Sequence, residues 1–258
     1  MTAALLQAKN VGVQFGTAVI VAEATLTLQA GRVIALVGPN GAGKTTLIRA
    51  LAGLLPAQGD IALTGKPLAA LDARERARKV AYLPQGHVFH WPMQVDAVVA
   101  LGRHPHTDPF SQPSPADRDA VARAMARTGI EAFAARRVTT LSGGERARVA
   151  LARALATEAP VLLADEPTAS LDPRHQLVVM QLLRQAAHDG GAVLAILHDL
   201  ALAARFADRV LVMDKGRIVA EGAPGEALSP QRIADVFGVE AIALDTGEGI
   251  IPVARHPL

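Results

Sequence analysis

Short stretches of alternating or continuous apolar residues dominate the first part of the chain and predict β-strands. Residues 33–38 (VIALVG) are apolar almost throughout, which is typical of a strand buried on both faces. Residues 39–55 then space their apolar side chains as a helix does, and Gly53 and Pro56 end that helix. The alternating strand patterns lie at residues 11–15, 25–29 and 60–65.

The middle of the chain has a helical pattern instead. The predicted helices are residues 93–106, 115–130 and 143–159. The second of them carries Pro115 near its start and Asp117 in its first turn, where both residue types favour a helix N-terminus. We interpret residues 91–157 as a helical subdomain inserted into an α/β domain.

Buried strands return after Pro160 and alternate with helices. Residues 160–167 and 192–199 contain apolar strands, and residues 209–222 form a hairpin that turns at Lys215–Gly216. Strands that alternate with helices indicate an α/β fold with a mostly parallel sheet. We therefore predict a single domain over residues 1–258. Its predicted parts are a core with an antiparallel β subdomain (1–90 and 158–225), the helical subdomain (91–157) and a C-terminal extension (226–258).

Composition excludes several classes of protein. The chain is 50% hydrophobic and 19% charged, which is typical of a globular domain and not of a disordered one. It has no cysteine, so disulfides and thiolate metal sites are excluded. A formal charge of +2 is too small to argue for nucleic acid. We see no signal-peptide pattern at the start, and no apolar run approaches the roughly 20 residues that a membrane-spanning helix needs.

The segment GPNGAGKTT between a strand and a helix matches the phosphate-loop pattern. Its glycines allow backbone N–H groups to surround phosphates, Lys44 adds a positive charge, and the helix N-terminus favours an anion. Thr45 is a candidate Mg²⁺ ligand and Thr46 a candidate for the α-phosphate. The candidate nucleotide-binding residues here are Gly38, Pro39, Asn40, Gly41, Ala42, Gly43, Lys44, Thr45 and Thr46. The alternative is a glycine-rich turn. The motif is similar to that of P-loop NTPases, and this resemblance implies a RecA-like fold.

Candidate catalytic residues follow three other apolar strands. Asp165 ends one strand, where it could reach Mg²⁺, and Glu166 comes next, where a carboxylate could accept a proton from an attacking water. His198 ends the following strand and could position that water. Gln85 follows a short strand and could contact Mg²⁺ or the water. The structural alternatives are a helix cap for Asp165 and Glu166, a structural histidine and a solvated glutamine.

A second segment suited to an anion lies far along the chain. Residues 140–156 (TLSGGERARVALARALA) place Ser142, Gly143 and Gly144 at the start of a helix. The structural alternative is a capping box, in which the serine and the glutamate three residues later satisfy each other's backbone N–H groups. The chain thus carries two separate segments that could bind phosphate.

Taken in order, GPNGAGKTT, LPQ, LSGGE, VLLADEP, SLD and LHD make the chain resemble the ATP-binding subunit of an ABC transporter. The resemblance implies a homodimer in which two subunits pack head to tail. ATP and Mg²⁺ then lie between the phosphate loop of one subunit and Ser142, Gly143 and Gly144 of the other. It further implies that Asp172 lies at the dimer seam and that Phe15 stacks on adenine. The alternative for Phe15 is a core side chain.

The stretch VVALGRHPH is similar to subunits of type II importers for iron–siderophore complexes, haem or cobalamin. That resemblance implies two transmembrane permease subunits, a periplasmic binding protein and a peripheral place on the cytoplasmic face of the cell membrane. Phe89 and Trp91 would lie in the surface that meets the permease, with packing inside the helical subdomain as the alternative for Trp91. Subunits of other importers or exporters, or a soluble ABC ATPase, are the alternative functions.

Histidines cluster in the same stretch. A metal site there is the less favoured interpretation, because no carboxylate or thiol is spaced with them. The residues concerned are His87, His90, His104 and His106.

Overall fold

The computed structural model describes residues 3–86, 89–108, 112–247 and 249–258. The strands are β1 (Ala4–Phe15), β2 (Ala18–Gln29), β3 (Arg32–Val37), β4 (Gln58–Leu63), β5 (Lys66–Pro67), β6 (Val80–Leu83), β7 (Val161–Ala164), β8 (Ala192–Ile196), β9 (Arg209–Asp214), β10 (Arg217–Gly222), β11 (Val239–Asp245) and β12 (Ile250–Pro257). The α-helices are α1 (Lys44–Leu51), α2 (Ala73–Lys79), α3 (Val95–Ala100), α4 (Pro115–Thr128), α5 (Gly143–Leu155), α6 (Pro173–His188), α7 (Leu200–Phe206), α8 (Pro224–Ala227) and α9 (Pro230–Phe237).

The central sheet has the strand order β10-β9-β3-β8-β7-β6. Strands β6, β7, β8, β3 and β9 are parallel to one another, and β10 pairs antiparallel with β9 at one edge. Alternate residues of β3 enter two different apolar clusters, because neighbouring side chains of a strand point to opposite faces. The α/β fold class with a mostly parallel sheet is confirmed, and the carboxyl ends of β3, β6, β7 and β8 meet at one edge.

A second sheet, in the order β2-β1-β4-β5, is antiparallel throughout. Its inner face and the α1 side of the central sheet share one apolar cluster, to which Leu6, Leu28, Leu47, Ile48 and Leu63 belong. Helix α1 is therefore held between the two sheets, and the phosphate loop that precedes it has a rigid support. The predicted antiparallel β subdomain corresponds to this sheet.

Helices α3, α4 and α5 surround an apolar cluster of their own, which includes Val95, Met125 and Val149. Ser114 and Asp117 form a capping box at the start of α4, with Pro115 in the first turn, as the sequence indicates. Helix α3 is shorter than the predicted 93–106, since a 3₁₀ turn follows it at residues 101–103. The subdomain boundaries at residues 90 and 157 stay a prediction.

Helix α2 is an element that the apolar pattern did not predict, because none of its residues is buried. Its signal was polar instead: Asp72 and Glu75 form a capping box that starts the helix. In the predicted C-terminal extension, α9 is followed by the hairpin β11–β12, which packs on α7. Within the described ranges, no helix is both long enough and apolar enough to cross a membrane.

Candidate functional site

The phosphate loop and the predicted catalytic residues lie at the carboxyl edge of the central sheet. Gly38 follows β3, Gln85 lies just past β6, Asp165 follows β7 directly, and His198 lies just past β8. This edge is where ligands bind in parallel α/β sheets, because the loops after the strands converge there.

Two glycines of the phosphate loop are required by packing. A Cβ on Gly38 would lie 2.0 Å from the carbonyl oxygen of Met213, and one on Gly43 would lie 2.7 Å from that of Ile20. Gly41 also has a positive φ of 82°, yet a Cβ there would meet nothing within 4 Å. Strands β2 and β9 therefore pack directly against the loop. The space at Gly41 stays open for a ligand.

Lys44 lies inside the loop with only 6% of its surface exposed. Its Nζ donates hydrogen bonds to the carbonyl oxygens of Gly38 at 2.7 Å and Pro39 at 2.9 Å. Burial lowers the pKa of the Lys44 ammonium, while the nearby carboxylates of Glu166 and Asp165 act in the opposite direction. A partly desolvated cation among backbone dipoles is well suited to bind the phosphates of a nucleotide.

Asp165 is completely buried, and its two oxygens accept hydrogen bonds from different elements. The Thr45 hydroxyl at the start of α1 donates to Oδ1 at 3.1 Å, and the Tyr82 hydroxyl on β6 donates to Oδ2 at 2.9 Å. None of the ion pairs among the described residues involves Asp165. A buried carboxylate beside a hydroxyl, with no salt bridge in the described part of the chain, fits a divalent cation that prefers oxygen ligands, such as Mg²⁺.

The three predicted catalytic residues lie together, because Gln85 and His198 both contact the carboxylate of Glu166. His198 Nε2 lies 2.6 Å from Glu166 Oε1, and Gln85 Nε2 donates to Oε2 at 2.7 Å. Glu166 has a φ of 51°, which is uncommon for a residue with a side chain and indicates a strained backbone at the strand end. Both carboxylate oxygens are thus fixed beside the phosphate loop.

The second predicted segment forms the start of α5. Glu145 N–H donates to Ser142 Oγ at 3.3 Å, and Ser142 N–H donates to Glu145 Oε2 at 2.7 Å. The capping box proposed as the structural alternative is therefore present. It leaves the exposed helix N-terminus in place, where a Cβ on Gly143 would meet nothing within 4 Å.

Asp172 caps the start of α6 and lies close to that segment. It accepts the backbone N–H of His175 at 2.9 Å, and its Oδ2 lies 2.7 Å from His175 Nδ1. The backbone hydrogen bond from His175, followed by the ring nitrogen, lowers the pKa of Asp172. The His175 ring also lies against Gly144, where a Cβ would come within 2.1 Å of ring atom Cδ2. Sequence reasoning missed His175, which connects two of the predicted segments.

Among the residues that the structure describes, two aromatic side chains are exposed. Phe15 ends β1 with 52% of its surface exposed, so the alternative of a core phenylalanine does not hold. Trp91 is 77% exposed, which also excludes its packing inside the helical subdomain, whereas Phe89 is partly buried between two apolar clusters. The stacking of Phe15 on adenine stays a prediction.

The histidine cluster does not form a metal site in the part of the chain that the structure describes. No group of three or more His, Cys, Asp or Glu side chains is arranged to hold a metal ion among the described residues. His106 Nε2 lies 2.9 Å from the carbonyl oxygen of Thr157, and His87 lies outside the described ranges.

The GR pair of VVALGRHPH has a packing role that sequence reasoning missed. Arg103 is buried, and its Nε donates to Asp117 Oδ1 at 2.9 Å. Its Nη1 donates to the Ala156 carbonyl at 2.8 Å and to Glu158 Oε2 at 3.0 Å. A Cβ on Gly102 would lie 2.1 Å from the carbonyl oxygen of Arg153, so the 3₁₀ turn packs directly on α5.

Replacing Arg103 by Met is expected to lower the free energy of unfolding by about 3 kcal/mol, because the buried Asp117 carboxylate loses its cationic partner. Urea unfolding at neutral pH measures the change. Arg123→Met removes the exposed partner of Glu158 and should leave the stability nearly unchanged. Equal losses in the two variants would contradict a special role for the buried pair.

The Arg103–Asp117 pair also predicts that the free energy of unfolding depends on pH. The Ser114 hydroxyl, followed by Arg103, lowers the pKa of Asp117 below its ordinary value. A lowered pKa contributes stability that is complete above the unfolded-state pKa, roughly 4, and is lost as the pH falls through the lowered value. Wild-type protein should therefore lose more stability than Arg103→Met on acidification from neutral pH to about pH 3.

Comparison with known proteins gives the family. Residues 21–169 match the family model described as ABC transporter. The hemin import ATP-binding protein HmuV of Streptomyces coelicolor is 47% identical over 236 residues, which cover 90% of this chain and 83% of that protein. The chain belongs to the ABC transporter family. The resemblance deduced from the sequence motifs is therefore confirmed.

Other members of the ABC transporter family are similar at the level of sequence or fold. The cobalamin import ATP-binding protein BtuD of Halobacterium salinarum is 45% identical over 234 residues, 90% of this chain but only 58% of that protein. The chain thus spans less than two thirds of that relative's length. A solved ABC transporter of the metal-chelate type, in an inward-facing conformation, superposes with a TM-score of 0.84 at 26% identity and covers 100% of this chain and 98% of that one. A dimeric bacterial ABC transporter cassette superposes with a TM-score of 0.73 at 27% identity, and the match covers 85% of this chain and 98% of that one.

Proposed function

We propose that this ABC transporter family member is the ATP-hydrolysing subunit of an importer for one of three cargoes: an iron–siderophore complex, haem or cobalamin. The observation that carries the ATPase assignment is Glu166, held by Gln85 and His198 beside a phosphate loop and a buried Asp165. The importer assignment is supported by the relatives named for hemin and cobalamin import.

ATP would lie on the phosphate loop, with Lys44 and the N-terminus of α1 directed at its phosphates. Thr45 and Asp165 offer hydroxyl and carboxylate oxygens that would hold Mg²⁺. When bound, Mg²⁺ would neutralise part of the charge on the phosphate oxygens. Phe15 would stack on adenine, since its ring is exposed at the end of β1.

Glu166 would accept the proton of a water that attacks the γ-phosphate. Gln85 and His198 each contact one of its oxygens and so restrict the carboxylate to one orientation. Orientation of this kind contributes to catalysis because the reacting groups no longer need to be ordered in the transition state. His198, which is partly exposed, would also contact the γ-phosphate.

A homodimer would complete each site. Ser142, Gly143 and Gly144 would present N–H and hydroxyl donors to the γ-phosphate bound by the other subunit, with Asp172 at the seam. The open space around Gly143 supports this proposal, since a phosphate can approach the backbone there. The similarity to a dimeric ABC cassette supports it as well.

Two transmembrane permease subunits, served by a periplasmic binding protein, would dock on the helical subdomain, so that the chain lies peripherally at the cytoplasmic face of the membrane. A groove of about 530 Å³ lies there, lined by residues that include Ala97, Leu101 and Val121. The exposed Trp91 precedes this groove in sequence. An apolar groove of this kind suits a helix of a partner.

Co-purification with the permease from membranes tests the proposed function. The complex should hydrolyse ATP faster when a binding protein loaded with its chelate is added, and vesicles containing it should accumulate that chelate. Transport of none of the iron chelates, haem or cobalamin would overturn the importer subclass. Absence of any ATP hydrolysis would overturn the whole assignment.

Ser142→Ala is expected to lower ATP turnover by about tenfold or more while leaving ATP binding to the monomer unchanged, because the removed donor acts on the other subunit's nucleotide. Steady-state turnover and equilibrium nucleotide binding measure the two effects. Ser229→Ala is the matched control, since Ser229 also caps a helix, α9, away from the site. Equal loss of binding and turnover in Ser142→Ala would argue against action across the dimer.

A further inference from the structure

Tyr82 is the only tyrosine of the chain, and its hydroxyl contacts the proposed metal-binding carboxylate. It lies on β6, which pairs in parallel with β7, and it is half-buried. Its hydroxyl donates to Asp165 Oδ2 at 2.9 Å. No role was assigned to Tyr82 by the sequence motifs, although it stands only three residues before Gln85.

A second residue supports the tyrosine. Arg49, in the last turn of α1, donates from Nε to the Tyr82 hydroxyl oxygen at 3.3 Å. The Tyr82 hydroxyl has a single proton, which it donates to Asp165, while its oxygen accepts from Arg49. Arg49, Tyr82 and Asp165 thus form a directed chain of hydrogen bonds that ends on the carboxylate.

The two oxygens of Asp165 are satisfied by neutral hydroxyls, one from Thr45 and one from Tyr82. A lysine or arginine in the place of Tyr82 would neutralise the carboxylate and compete with a metal ion for it. A hydroxyl fixes the carboxylate while the negative charge stays available, which is how outer-shell hydrogen bonds orient metal ligands.

We propose that Tyr82 is a positioning residue that fixes Asp165 in the orientation needed to bind the divalent cation that accompanies the nucleotide. This inference rests on the proposed function, which places Mg²⁺ between Thr45 and Asp165. Arg49 orients the tyrosine hydroxyl from the opposite side. Tyr82 itself touches neither the nucleotide nor the reacting water in this proposal.

The test is the affinity of the full-length chain for a fluorescent, non-hydrolysable ATP analogue, measured with Mg²⁺ and with EDTA. The ratio of the two affinities gives the contribution of the cation. Tyr82→Phe keeps the ring and should lower this ratio by about tenfold, with the EDTA affinity unchanged. Thr25→Val removes a hydroxyl from β2, far along the chain from the site, and should leave both affinities at the wild-type values.

An unchanged ratio in Tyr82→Phe would overturn the proposal. An equal fall of both affinities would overturn it too, because a merely structural tyrosine would act with or without the cation. Asp165→Asn separates this failure from failure of the proposed function. If Asp165→Asn keeps the wild-type ratio of affinities, the proposed Mg²⁺ site itself is wrong. If Asp165→Asn lowers the ratio and Tyr82→Phe does not, only the role of Tyr82 is rejected.

Discussion

Glu166→Gln is expected to lower the rate of ATP hydrolysis by about 10²- to 10⁴-fold while ATP still binds. The amide keeps the size of the side chain and one acceptor oxygen for Gln85, but it cannot accept the proton of the attacking water. ATP should therefore persist between two subunits and hold the dimer closed. Turnover assays and size-exclusion chromatography with ATP measure the two consequences.

The control for Glu166→Gln is Glu221→Gln on β10, whose carboxylate pairs with the partly exposed Arg209. This variant should hydrolyse ATP at the wild-type rate. If Glu166→Gln does so as well, Glu166 is not the general base. The contacts of Gln85 and His198 would then need another explanation.

Lys44→Ala is expected to weaken ATP binding by about a hundredfold or more, because charge-assisted hydrogen bonds to phosphate are among the strongest in the site. The lost ammonium also removes one donor from the carbonyl oxygens of Gly38 and Pro39, although Pro39 keeps the Ala42 N–H. Equilibrium binding of a fluorescent ATP analogue gives the affinity. A thermal unfolding curve without nucleotide shows whether the loop change has altered the fold.

Lys66→Ala removes a lysine from β5, which is exposed, and serves as the control for Lys44→Ala. It should bind ATP as the wild type does. Wild-type affinity in Lys44→Ala would contradict the assignment of the phosphate loop. A fall in affinity that matches that of Lys66→Ala would show only a general effect of charge.

The parts of the site that sequence predicted are those set by local pattern or by strand polarity. The phosphate loop is a continuous segment between β3 and α1, so its residue types alone identify it. Gln85, Glu166 and His198 come from three strands, yet parallel strands bring their carboxyl ends together without any long-range information. Their proximity at one edge of the sheet could therefore be predicted, although the contacts of Gln85 and His198 with the Glu166 carboxylate could not.

The residues that sequence missed act through contacts between distant elements. The bond from Tyr82 to Asp165 joins residues 83 positions apart, and no spacing rule connects a strand tyrosine to a carboxylate on the next strand. The contact of His175 with Gly144 likewise depends on how α5 and α6 pack. Helix α3 ends before the predicted residue 106, and this also involves a contact between distant elements, because Gly102 packs on the Arg153 carbonyl.

The contact between the His175 ring and Gly144 has a consequence for communication between copies of the chain. Because no methyl group fits at Gly144, the first turns of α5 and α6 pack in direct contact. A displacement of Asp172 would be passed through the His175 ring to the serine-glycine turn. In the proposed homodimer, the nucleotide state of one site would then affect the other site through this direct contact between helices.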